Sequence, residues 1–164
     1  MFSARRTLER LALCAACALL SCESGKKVNR PVPEAFRAFT LTDDPIDRQT
    51  LEGRPWVMSV WRPGCAPCMR QLKALDAVKA RYQAQGIGFI ALSLDPDEGK
   101  IFEAAAKAEV DSTLAWAEGE VMGPLGLKEV PSTVFIDADT VIVAQTTGEQ
   151  SAETLEKWLK VAVP

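Results

Sequence analysis

The chain has 164 residues, 48% of them hydrophobic and 25% charged, which is enough apolar material for one ordinary core and calls for no second domain. Its formal net charge of −3 argues against a nucleic-acid partner. It contains no histidine, which excludes Ser-His-Asp and Cys-His catalysis, histidine-ligated haem and mixed Cys/His zinc sites.

Residues 1–10 are basic, 11–20 are apolar and residue 21 is a small serine, the three parts of a secretory leader. The apolar run is too short for a bilayer, which takes about 20 residues. Arg5, Arg6 and Arg10 against Glu9 give the leader a charge of +2, so its removal leaves about −5. Leu19-Leu20-Ser21-Cys22 resembles the bacterial lipobox, whose cysteine becomes the acylated N-terminus of a lipoprotein; an ordinary leader cut near Ser21 would leave Cys22 a free thiol. The Arg5-Arg6 pair suits twin-arginine export but is common in other leaders too. Cys14 and Cys17 form a C-x-x-C inside the apolar leader, with no strand or turn before it, and read as incidental. Residues 22–35, with Pro31, Pro33 and several charges, read as a tether, and 36–164 as the folded domain.

Within that domain, 36–42 alternates apolar and polar residues and predicts a short edge strand before the Asp43-Asp44-Pro45 turn. After a turn at 51–55 comes Trp-Val-Met-Ser-Val-Trp, 56–61, an apolar run that reads as a buried strand and stops at Pro63-Gly64. A helix follows to about residue 85. Pro67 suits its first position, Leu72, Leu75, Val78 and Tyr82 recur at helical spacing, and Gly86 is the cap. The apolar run 87–94 completes a β-α-β unit with parallel strands. Then come an alanine-rich helix over 100–110, a short strand over 114–117 and an irregular stretch over 118–129. Strands over 132–136 and 141–145 flank a hairpin turn, and Ser151 caps a last helix with Leu155, Trp158, Leu159 and Ala162 on one face.

Five cysteines stand at 14, 17, 22, 65 and 68, and only the last two fall where a strand feeds a helix. The first-turn N–H groups and the helix dipole stabilise negative charge there, so Cys65 is the more acidic thiol. A lower pKa raises the thiolate fraction while lowering intrinsic nucleophilicity, so the attack rate gains only a few-fold; the larger effect is on leaving-group quality and redox potential. Arg62, Arg70 and Lys73 add positive charge nearby in sequence. Read from the residues alone, the pair could also be an inert disulfide or half of a zinc site shared between chains.

The element order, with W-R-P-G-C-A-P-C after the first core strand, L-E-G-R-P-W-V leading into it and V-P-S-T-V-F-I-D near the end, resembles the thioredoxin superfamily, in particular its TlpA/ResA-like branch. The resemblance implies an α/β, thioredoxin-like fold. A central mixed sheet would be flanked by helices, with an N-terminal strand extension and a helix/strand insertion. It also implies a protein thiol-disulfide oxidoreductase, extracytoplasmic and anchored on the periplasmic face by a lipid on Cys22. Cys65 and Cys68 would form the redox disulfide, Cys65 attacking and Cys68 resolving. Pro131 matches the family's cis-proline, Val130 the residue whose backbone pairs with substrate, and Trp61 the tryptophan packed by the cysteines; the resemblance makes all three substrate-binding residues. The partners implied are disulfide-containing or dithiol proteins and an electron-donor thiol protein. No cofactor, metal or nucleic acid is called for, and the chain reads as a monomer.

Three positions depart from relatives. Gly64 stands where many carry tryptophan, Ser59 where thioredoxins proper keep a buried aspartate, and Gln71 where some of the branch place glutamate. Deprotonation of Cys68 is thereby left to water or to Glu129 beside the proline. Reduction of protein disulfides is the leading expectation. The alternatives are a partner-binding module with an idle disulfide and a thiol peroxidase.

Overall fold

The computed structural model describes residues 25–163. Its framework is the apolar pair β4 (Trp56–Trp61) and β5 (Gly88–Ser93), parallel to one another from Trp56 opposite Gly88 to Trp61 opposite Ser93. Both are buried almost throughout, as parallel strands covered on two faces must be. Around them lie β1 (Gly25–Pro31), β2 (Arg37–Thr40), β3 (Pro45–Asp47), β6 (Thr113–Ala117), β7 (Ser132–Ile136) and β8 (Val141–Thr147), in the spatial order β1-β8-β7-β4-β5-β6-β2-β3. The sheet is mixed, as expected: β6 runs parallel to β5, while β7, β8, β1 and β2 each pair antiparallel with a neighbour.

Period-two alternation splits the core in two. Val57 and Trp61 of β4 point to one face, with Phe89, Ala91, Phe135 and Ala144. That face is covered by α2 (Ala66–Tyr82) through Leu72, Leu75 and Val78, and by α4 (Ala152–Ala162) through Leu155 and Leu159. Ile101 of α3 (Glu98–Lys107) joins them. Met58, Val60, Ile90 and Leu92 point to the other face, covered by Val32, Phe36, Leu125 and Leu51 of the one-turn helix α1 (Arg48–Leu51). Capping follows the sequence: Asp97 accepts from the Lys100 N–H and Ser151 from the Thr154 N–H, and Gly86 closes the 3₁₀ turn after α2.

Two expectations are corrected. The 22–35 segment is no tether over its described part, since residues 25–31 pair with β8, from Gly25 opposite Thr146 to Pro31 opposite Val141, and Val32 is buried. Without β1, the outer edge of β8 would present unpaired N–H and C=O groups. Only Val28 of this strand packs on the core, which is why its sequence looks like a linker. Gly25 also lies flat against Trp158, where a β-carbon would come within 2.2 Å of the indole nitrogen. Secondly, β2 is an interior strand. It pairs with β6 on one side and, through the turn at Asp43, with β3 on the other, so the edge falls to three residues that begin with a proline.

Candidate active site

Strand β4 ends at Trp61, and a turn through Gly64 delivers the chain to α2. Gly64 has φ of +80°, a conformation that side-chain-bearing residues rarely adopt. Cys65 is the N-cap of α2, and its Sγ accepts a hydrogen bond from the Cys68 N–H at 3.2 Å. Pro67 falls at the second helical residue, still in the turn whose N–H groups lack helical partners. The two cysteines are joined, with S–S 2.10 Å and Cα–Cα 5.2 Å. Their burial is unequal: Cys65 is half-buried, Cys68 completely buried.

The Val130–Pro131 peptide is cis, as expected from the sequence. Val60 stands opposite Ser132, which brings Pro131 level with Trp61 at the end of β4 that leads to the cysteines. Val130 and Cys65 are both half-buried against the same core cluster. The Pro131 carbonyl accepts from the Gly148 N–H at 2.8 Å, and the Ser132 hydroxyl donates to the Glu129 carbonyl at 2.7 Å.

Trp61 is corrected as a substrate contact. It is fully buried in the cluster that holds Cys68, so it supports the cysteine loop from beneath and presents nothing to a visiting chain. The Glu129 side chain is exposed and lines a depression with Gly25, Lys26 and Gln145, apart from the groove at Cys65. Cys22 lies outside the described residues, as do Cys14 and Cys17.

Behind Cys68, sequence reasoning noted Ser59 and Gln71 separately and missed that they meet. The Gln71 amide nitrogen donates to Thr133 Oγ1 at 3.2 Å, and Thr133 donates to Ser59 Oγ at 3.2 Å. Gln71 Oε1 accepts from the Gln150 N–H at 2.6 Å. Ser59, Gln71 and Thr133 are fully buried, and every group in the chain is neutral. The available clue was Thr133, two residues after the proline on the strand that pairs with Ser59.

Of the three cations near the pair, Arg70 is taken by a two-pronged bond to Glu149 at 2.7–3.0 Å. That hydrogen bond, with the ion pair behind it, holds the Glu149 carboxyl below its ordinary range and pushes Arg70 up. Lys73 and Cys65 both line an open groove of about 600 Å³ between α2 and α3; Arg62 is exposed. Among the described residues no group of three or more Cys, Asp or Glu could hold a metal ion.

Residues 28–145 match the AhpC/TSA family. The chain is 27% identical over 130 residues to the thiol-disulfide oxidoreductase ResA of Bacillus thuringiensis, covering 77% of this chain and 75% of that one. A putative thiol:disulfide interchange protein DsbE from Chlorobium tepidum superposes with a TM-score of 0.72 at 23% identity, over 85% of this chain and 99% of the other. A secreted Mycobacterium tuberculosis disulfide oxidoreductase, homologous to E. coli DsbE, gives 0.62 at 25% identity, over 79% and 96%. The chain belongs to the AhpC/TSA family of the thioredoxin superfamily, as a TlpA/ResA-like thiol-disulfide oxidoreductase.

Proposed function

We propose that the chain reduces disulfides of other proteins outside the cytoplasm, held at a membrane by a lipid on Cys22. The observation that carries the chemistry is the unequal burial of two bonded sulfurs at one helix start. In the reduced pair Cys65 is the attacking thiolate, stabilised by the Cys68 N–H and the first turn of α2. Its sulfur bonds to one sulfur of the substrate disulfide, the substrate S–S bond breaks, and the leaving thiolate takes a proton from solvent. Cys68 then loses its proton to solvent and attacks Cys65 Sγ, expelling the second substrate thiolate, which is protonated in turn. Two electrons have passed to the substrate and the pair is left oxidised. A dithiol protein returns them by the same exchange in reverse.

Docking falls to the Val130 backbone. Among the described residues its N–H and carbonyl take no hydrogen bond, so both are free to pair with an extended substrate segment. The reducing direction is supported by how little the site does for a thiolate. One N–H bonds Cys65 Sγ, Arg70 is committed to Glu149, Lys73, in no ion pair among the described residues, is exposed and screened by solvent, and the polar groups behind Cys68 carry no charge. Export is supported by the leader over 1–21 and by the secreted relative.

The anchor has a geometric consequence. Only Glu23 and Ser24 separate Cys22 from Gly25, about 10 Å of chain at most. Gly25 pairs with Thr146 at the end of the sheet from which β4 runs into the cysteine loop, and β1 lies three strand spacings from β4, roughly 14 Å. The cysteine end of the domain therefore faces the membrane, and the accessible substrates are membrane-proximal.

With a protein disulfide as substrate, Cys65→Ser loses reductase activity and Cys68→Ser accumulates mixed disulfides; full activity in Cys65→Ser would sink the mechanism. Equilibration with glutathione tests the direction. A potential near the about −120 mV of strong periplasmic oxidants would make the chain an oxidase instead. A binding module with an idle disulfide yields no mixed disulfides, and a peroxidase working through Cys68 is disfavoured by that sulfur's complete burial.

A further inference from the structure

The groove beside Cys65 is built by two facing helical stripes. From α2 come Ala66, Met69 and Lys73, and from α3 come Ala104, Lys107 and, at its C-cap, Ala108. Alanines at 104 and 108 keep it open where leucines would close it, and its floor is mostly apolar. The rim is cationic in a chain whose net charge is −3: Arg70, Lys73, Lys100 and Lys107 stand against Glu103 alone. Arg70 is bonded to Glu149, and Lys100 is paired with Asp95 and Asp97. Lys73 and Lys107 form no ion pair among the described residues and are exposed.

The groove lies on the flank of Cys65 opposite the cis-proline. In the sheet β4 sits between β7, which follows Pro131, and β5, which feeds α3. A substrate segment lying across Cys65 thus meets the Val130 backbone on one side and this groove on the other.

We propose that the groove is a specificity subsite that seats an apolar side chain flanked by carboxylates on the substrate polypeptide, close to the disulfide under attack. This rests on the oxidoreductase reading and names the substrate class for it. The apolar side chain fills the space between the helices, while the carboxylates meet Lys73 and Lys107. Cations already paired contribute mainly shape.

The test uses the reduced mature chain and two synthetic peptide disulfides with leucine near the cysteine, one flanked by glutamates and one by lysines. The expected result is a rate of mixed-disulfide formation about tenfold higher for the acidic peptide at low ionic strength, with the ratio falling towards one near 0.5 M salt, where the Debye length shrinks to a few Å. Lys73→Glu combined with Lys107→Glu inverts the ratio, while Lys73→Arg with Lys107→Arg preserves it. Because the readout is a ratio, a general change in thiolate reactivity cancels. Replacing leucine by serine in the acidic peptide lowers its rate several-fold. Equal rates for the two peptides in the unsubstituted chain, or a ratio unmoved by charge reversal, would overturn the subsite. A chain that reacts with neither peptide nor a small neutral disulfide overturns the oxidoreductase reading and the subsite with it.

Discussion

At the scale of residues, the deciding feature is that the shell behind the buried sulfur is polar but uncharged. A carboxylate at Ser59 or Gln71 would be desolvated completely and driven towards its neutral form, titrating together with Cys68. Amide and hydroxyl groups do the structural part of that work without a proton that titrates. Gln71 is bonded through both ends of its amide, to Thr133 and to the Gln150 N–H. Gln71→Ala removes both of these buried hydrogen bonds, and we expect it to lower unfolding free energy by about 1–3 kcal/mol, read from urea denaturation of the oxidised chain. A change within a few tenths would mean that the network has no structural worth. Neither a residue's type nor its distance along the chain tells whether it reaches solvent: Trp61 is buried beneath the cysteine loop, and Glu129 is exposed away from the groove at Cys65.

At the scale of elements, α2 is held at both ends by ion pairs to the chain around α4. Arg70 reaches Glu149 near its start, and Arg81 and Tyr82 reach Glu156 near its end, while Lys79 holds Asp111 ahead of β6. Hydrogen bonds from these partners depress the carboxyl pKa of Glu149, Glu156 and Asp111 in the folded chain. A depressed carboxyl contributes stability that is present above its unfolded pKa and lost as pH falls through the folded one. With no histidine in the chain, no side chain of ordinary pKa titrates between about pH 5 and 8 in the oxidised protein. Thermal midpoints should therefore form a plateau over that range and fall below about pH 4, with a smaller fall at high salt because these pairs are exposed. A midpoint that moves appreciably between pH 5 and 8 would contradict this account.

At the scale of the whole molecule, Gly25, three residues after the proposed lipid site, and the active site share one end of the sheet. On vesicles, the acylated and reduced chain should react with a bulky maleimide polymer at Cys65 several-fold more slowly than the Cys22→Ser chain free in solution. Inserting about 20 glycine and serine residues between Ser24 and Gly25 should restore the faster rate, since the flexible segment then spans some 25 Å. Equal rates in an acylated chain would show that the cysteine end does not face the bilayer, and an absence of acylation by mass spectrometry would remove the anchor itself. The strand that sets this orientation was the least legible in the sequence. Gly-Lys-Lys-Val-Asn-Arg-Pro has one core-facing apolar residue, and only pairing with β8 makes it a strand.

The sequence by itself determined what depends on a few neighbouring residues: the β-α-β order, the cysteines at a helix start, the caps at Gly86 and Ser151, and the place of the proline. Backbone preferences and helix ends act over three or four positions, so they are written locally. The tertiary structure decided which cysteine is buried, where the sheet has its edges, and that Gln71 bonds Thr133 62 residues away and Thr133 bonds Ser59 74 residues away. Solvent exclusion and strand pairing depend on segments brought together from across the chain, and a sequence read in order does not contain that adjacency.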